Sequence, residues 1–306
     1  MMIEADVAAR CSDSAALNDW HPVSLVGDMQ PSRVVTTVLL GRPIALLRGP
    51  GGAFCCWDNS ARAWSNGQNL AAPPETARFA TTVNLAHLWV CLGEPRRRLF
   101  QVPESDEPDR VFVTGGKIGL KASPLRVIEN FLDMGHFPYV HTGVLGAEPL
   151  TEVRDYSAEI TADNEVLVTG CGFYQPKASL VAERGFEVEY TYRVPRPYCA
   201  ILYKTAAKQP SRRDVLALFL QPIGEEACIA HPWRALLDMD PADPGVRSFQ
   251  QQIFGQDRPI LENQLPKRLP LDPRAERHVR SDAASAVFRR WLRGNGVCYG
   301  AIPAVE

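Results

Sequence analysis

Asp133, His136 and His141 sit within one short stretch, Asn130-Phe131-Leu132-Asp133-Met134-Gly135-His136-Phe137-Pro138-Tyr139-Val140-His141. Two neutral imidazoles and one carboxylate that leave coordination positions open suit a ferrous ion, which can then take up a further reactant. The stretch reads as half of such a site.

The elements around it follow from local chemistry. Ser123-Pro124 is a helix start: a serine hydroxyl accepts from a free N–H, and proline is tolerated at the first helical position. A helix from about Pro124 places Ile128, Phe131, Leu132 and Gly135 on one apolar stripe and Asn130, Asp133 and His136 on an adjacent one. In an unbroken helix His136 and His141 would point about 140° apart. Pro138 is expected to break the helix and bias Phe137 away from it, letting His141 turn back towards His136.

The two histidines need a third ligand. Phe249 to Gln264 has helical character and carries an acid beside an apolar surface, and on spacing alone Asp257, Glu262 and Asp272 compete for the role.

The motif Asn130-x-x-Asp133-x-x-His136-x4-His141 resembles the catalytic signature of Rieske non-haem iron oxygenases. Gly255-Gln256-Asp257-Arg258-Pro259-Ile260-Leu261-Glu262-Asn263-Gln264 resembles the downstream segment of their vanillate demethylase-like branch, and Arg280-Ser281-Asp282 with Phe288-Arg289-Arg290-Trp291-Leu292 resembles its last helix. The resemblance implies Fe2+ bound by His136, His141 and Asp257. It also implies that Asp133 links the iron-bound histidine to the cluster histidine of an electron donor, with Asn130 bracing the site or approaching the iron. Ala147 to Val153, Arg196-Pro197-Tyr198, Ala200 to Thr205 and Pro266 to Leu271 are similar to the oxygenase subunits of bacterial methylxanthine N7-demethylases, a group that lacks its own cluster.

A Rieske centre needs two cysteines on one iron and two histidines on the other. No cysteine here is followed two residues later by histidine, and Cys228-Ile229-Ala230-His231 falls in a strand-like run after the iron motif. Arg33 to Leu40, Ile44 to Arg48 and Ala53 to Trp57 read as strands between glycine and proline turns. Cys55 and Cys56 have no histidine nearby and read as packed side chains. The expectation is an N-terminal tail over 1–18, a degenerate, all-β Rieske-like domain without cluster loops over 19–118, and a catalytic domain over 119–306. Charged, proline-containing Glu94 to Arg98 and Pro103 to Arg110 mark the join, with Arg96 to Arg98 a solvated loop.

Glu165 to Gly170, Phe186 to Val194, Ala200 to Thr205, Asp214 to Pro222 and Ala227 to Ala235 read as strands, and a final helix is expected from Ser281 or Asp282 to a stop at Gly294. The fold class is therefore α+β with an antiparallel sheet; the resemblance implies the helix-grip, Bet v1-like form. With 306 residues, 45% of them hydrophobic, the chain can bury a substantial core. A formal charge of −2 gives no footprint for nucleic acid or membrane. Eight scattered cysteines, no leader and no spanning apolar run point to the cytoplasm.

If Asp257 faces iron from a helix, Ile253 and Gln250 lie one and two turns earlier on nearly the same face, and with Phe254 and Phe249 they are candidates to line a substrate pocket. Gln250 offers a donor and an acceptor to a small heteroaromatic edge. The resemblance implies O2-dependent N-demethylation of a methylxanthine. Electrons would come from NADH or NADPH through a separate Rieske-containing reductase, in a homotrimer or hetero-oligomer that could include a structural subunit. The alternatives are O-demethylation or ring hydroxylation of another aromatic, or a non-catalytic paralogue.

Overall fold

A computed structural model describes residues 10–75, 78–237, 239–240 and 245–304, excepting the Gln250 side chain. After a one-turn helix, α1 (Ser14–Leu17), the first ninety residues form β1 (His21–Leu25), β2 (Val34–Leu39), β3 (Arg42–Arg48), β4 (Phe54–Asp58), β5 (Arg78–Asn84) and β6 (His87–Cys91). They make one antiparallel sheet in the order β1-β6-β5-β4-β3-β2. The expected strands at Arg33, Ile44 and Ala53 correspond to β2, β3 and β4.

The second sheet is larger. Its strands are β7 (Val111–Thr114), β8 (Ile118–Leu120), β9 (Ser157–Ile160), β10 (Val166–Gln175), β11 (Phe186–Arg196), β12 (Cys199–Thr205), β13 (Arg213–Gly224) and β14 (Ala227–Leu236). The order is β7-β14-β13-β12-β11-β10-β9, antiparallel, with β8 also on β14. Burial along β10 alternates, as a strand with one face on the core requires. The two sheets are tied by hydrogen bonds: Leu40 N–H donates to Pro222 O at 2.7 Å, and the buried Gln221 side-chain amide donates to Thr37 Oγ1 and Val38 O, each at 2.8 Å.

Against the large sheet lie α2 (Pro124–Leu132), α3 (Phe137–Val140), α4 (Gly245–Asn263) and α5 (Ala283–Gly294). Ser123 caps α2 by accepting from Leu125 N–H at 3.2 Å, and Pro124 takes the first helical position. Leu125, Ile128 and Leu132 of α2 pack into one core with Val168 and Tyr192 of the sheet and Phe288, Trp291 and Leu292 of α5. Beside that core, Arg126 pairs with Glu129 at 2.9 Å and Glu276 at 2.6 Å, and Arg289 of α5 pairs with Glu129 at 2.6 Å. Buried charges in such a network hold their elements in one register, because separating any pair strands a desolvated ion.

Two local expectations are corrected. The helix from Pro124, α2, ends at Leu132, with Asp133 extended at φ −82°, so neither Gly135 nor His136 is on it. Phe137 is helical: it opens α3, where Pro138 falls in the first turn and its missing N–H costs nothing. The last helix runs as expected, capped at Asp282 and ending at Gly294, before Gly296 takes the left-handed turn at φ +68°.

Candidate metal centre

Asp133 and His136 meet through a turn. Asp133 Oδ1 accepts from Gly135 N–H at 2.8 Å, folding the chain back so that Oδ2 faces His136 Nδ1 at 2.9 Å. One-turn α3 then carries the chain to His141. Phe137 fixes α3 to the sheet, its ring 5.6 Å from Phe173 and 6.2 Å from Tyr190. Gly146 closes behind it: a Cβ there would lie 2.7–2.8 Å from the Pro138 backbone, so only glycine permits the approach.

The third donor comes from α4. Asp257 Oδ1 is 3.0 Å from His141 Nε2 and 3.5 Å from His136 Nε2, and the two Nε2 atoms are 3.2 Å apart. His141 Nδ1 meets Gln256 Oε1 at 2.9 Å. An amide oxygen only accepts, so Nδ1 carries the proton and Nε2 presents a lone pair; the Asp133 carboxylate selects the same tautomer in His136. Two lone pairs and a carboxylate oxygen thus converge in a largely buried space, and Asp257 Oδ1 has no hydrogen-bond partner. Such a group is stable only around positive charge. Burial disfavours a charged His136, yet Asp133 and then Asp257 outweigh it and push its pKa up to about 9. Both aspartates are held below their ordinary values by those histidines, against the opposing effect of burial.

The residues fit a metal ion. Donors about 2.1 Å from a shared ion, at roughly 90–110° to one another, lie about 3.0–3.4 Å apart, close to the separations here. Among the described residues these three side chains are the one cluster of potential metal ligands, their donor atoms all within 4.8 Å. The rival acids are engaged elsewhere: Glu262 accepts from Arg258 and Lys121 N–H, and Asp272 pairs with Arg274.

A cavity of 160 Å³ opens beside the donors, compact enough to suit a small ligand. Phe249, Ile253 and Phe254 of α4 line it together with Asn130; the Gln250 side chain lies outside the described residues. A second, larger and more open depression is lined by His136 and Asp133 together with Ile260 and His278.

The sequence from 120 to 295 matches the family model described as vanillate O-demethylase oxygenase C-terminal domain. The chain is 44% identical, over 94% of its length and 97% of the relative's, to a protein of Pseudomonas sp. (strain TJI-51) named probable methylxanthine N7-demethylase NdmC. The chain belongs to the Rieske non-haem iron oxygenases of the vanillate O-demethylase branch. Its fold is shared with Pseudomonas putida CBB5 NdmA with caffeine (TM-score 0.70, 19% identity, 90% of each chain). It is also shared with dicamba monooxygenase bound to dicamba (TM-score 0.70, 16% identity, 92% of this chain and 97% of that one). The oxygenase is an oxidoreductase, and its non-haem iron chemistry calls for the two imidazoles and carboxylate gathered here.

Sequence reasoning missed Gln256 as the partner of His141. Its only signal was adjacency to Asp257, which on a helix rotates it by about 100°. That rotation suffices, since the two neighbours engage opposite nitrogens of one imidazole. The polar wall of the cavity, with Gln175, Lys204 and Asp214, was also missed, because it assembles from three different strands.

Proposed function

We propose that this oxygenase removes the N7-methyl group of a methylxanthine, 7-methylxanthine giving xanthine and formaldehyde, as the catalytic subunit of a multicomponent cytoplasmic system. The observation that carries the reading is the convergence of three metal donors on a compact cavity, in a chain with a full-length relative of that name. Fe2+ held by His136, His141 and Asp257 would supply activation of O2. The protein's own residues do the rest. Asp133 and Gln256 accept from the two Nδ1–H groups and so aim both Nε2 atoms inward, towards the position of the metal. Phe249, Ile253 and Phe254 wall the ring and exclude water from its methyl group.

The substrate's oxidation needs electrons from outside. The N-terminal sheet is read as a cluster-free remnant: Cys56 is buried on β4, Cys55 is beside it, and the sequence has no Cys-x-His. A Rieske-containing reductase using NADH or NADPH is the proposed donor, docking over the outer depression where the Asp133 side chain is 35% exposed. The domains are read as a degenerate Rieske-like unit over 19–118 and a helix-grip unit over 119–306, in an assembly that leaves this face open.

The test is metal analysis and a visible spectrum on protein purified anaerobically from iron-supplemented cells. Formaldehyde release from 7-methylxanthine is then measured with the reductase and NADH added. About one iron per chain without iron–sulfur absorption, and product formation only with the donor, are expected. Additional iron with sulfide would refute the cluster-free reading. Zinc alone would move the site to hydrolysis, and turnover of methoxylated aromatics in place of methylxanthines would make it an O-demethylase.

A further inference from the structure

Two cations reach the cavity wall, and they are in opposite situations. Lys204 of β12 is occupied: its Nζ donates to Ala178 O at 2.5 Å, with Gln175 Oε1 at 3.4 Å. Arg234 of β14 also lines the cavity. Its guanidinium makes no hydrogen bond or ion pair among the described residues, and its Nε is buried without a partner. Asp214 attracts it electrostatically, while Asp214 Oδ1 accepts from Leu237 N–H at 2.8 Å. Burial, partly offset by that attraction, pushes the Arg234 pKa down to about 10. Arg234 is half-buried with its Nε enclosed, so the guanidinium is partly desolvated and its donors face the cavity without a protein acceptor. Elsewhere in this chain buried arginines such as Arg126 and Arg289 are paired.

Register explains where it points. Tyr192, Leu202, Leu216 and Arg234 are successive cross-strand partners over β11, β12, β13 and β14, and all four line the cavity. Tyr192 begins the row against Phe131 of α2, at 6.0 Å between rings, on the side where the metal segment emerges. Arg234 ends it three strand spacings away, roughly 14 Å along the sheet at about 4.8 Å per strand. The two leucines between form an apolar floor. A flat ring lying on that floor has one end towards the metal donors and the other towards the guanidinium.

We propose that Arg234 is the substrate anchor of this oxygenase, binding through its planar donor fork an oxygen-bearing edge of a flat ring whose opposite end faces the metal donors. This rests on the methylxanthine reading for the identity of the edge: with N7 towards the metal, the far end of the purine is the pyrimidinedione edge with its C2 carbonyl. Arginine suits that carbonyl because two N–H donors held in one plane can converge on the two lone pairs of its oxygen.

The test compares Arg234→Met and Arg234→Lys with the parent chain, all iron-loaded and anaerobic. The probes are 7-methylxanthine and 4-methoxybenzoate, titrated calorimetrically, with metal content and the melting temperature of ligand-free protein measured alongside. Arg234→Met is expected to bind 7-methylxanthine about 10- to 100-fold more weakly, with unchanged metal content and a melting temperature equal to or above the parent's. Arg234→Lys should recover part of the affinity. Undiminished binding of 7-methylxanthine by Arg234→Met would overturn the anchor and leave the methylxanthine reading standing. Arg234-dependent binding of 4-methoxybenzoate, with none of 7-methylxanthine, would uphold the anchor and overturn that reading. A lower melting temperature for Arg234→Met would assign the guanidinium to the fold and overturn the anchor whichever probe binds.

Discussion

His21, His87 and His231 lie where the two sheets meet, and His136 and His141 lie under α4; all are largely buried, yet the two groups are held in opposite ways. In the first group each ring faces a neutral oxygen: His21 Nε2 is 2.8 Å from Ala16 O, His87 Nδ1 2.6 Å from Leu85 O, and His231 Nε2 3.2 Å from Gln221 Oε1. Burial dominates there and lowers all three pKa values, that of His87 to about 4. In the second group two carboxylates reverse the effect for His136. Where burial prevails, as it does even for His21 against the pull of Asp19 and Asp13, histidine is a packing residue; where carboxylates bonded to the ring outweigh burial beside a cavity, it belongs to a cation site.

The sharpest way to break this contrast is to remove one member of each group. His141→Ala or Asp257→Ala should abolish bound iron and reduce demethylation by about a thousandfold or more, measured by metal analysis and formaldehyde release. His231→Phe should leave both within about twofold while lowering the melting temperature. If His231→Phe also lost iron, the two groups would not be separable. Next in size is Asp133→Asn, which keeps the shape but removes the charge behind His136. A roughly 10- to 100-fold loss in turnover or iron affinity is expected, and a neutral result would reduce Asp133 to a turn former.

The interface histidines should also reveal themselves through pH. The folded pKa of His87, about 4, lies below the ordinary 6.5, so between these values the unfolded chain binds more protons. Its contribution to stability is therefore intact above pH 6.5 and declines as pH falls towards 4. Urea unfolding at pH 7 and pH 5 should show about 2 kcal/mol of this loss, absent in His87→Phe; an unchanged difference in the variant would place the effect elsewhere. An effect of similar size is expected of Gly146→Ala. Its methyl would press on the Pro138 backbone, costing about 1–3 kcal/mol and weakening iron binding by displacing α3. Wild-type iron affinity would show that the loop yields without moving His141.

The contrast also explains what could be read from the chain. His136 and His141 were legible because their spacing and Pro138 are local, and the strands of both sheets because alternation is local. The turn at Asp133 was mistaken for helix, since an aspartate that folds onto a nearby N–H has the same three-residue spacing as a helical pair. Asp257 could not be separated from Glu262 and Asp272 by pattern, because the choice is made by contact across 116 residues. Arg234 gave no signal, since its isolation is a property of the register of four strands.

One helix, α4, carries both the carboxylate that completes the metal donors and the side chains that wall the cavity. Metal and organic ligand are therefore thermodynamically linked through its seating: an ion that fixes Asp257 also fixes Phe249, Ile253 and Phe254. By reciprocity a bound ring must tighten the hold on the metal by the same factor. Iron starvation would then blunt substrate recognition together with turnover, and substrate would protect the enzyme against chelators.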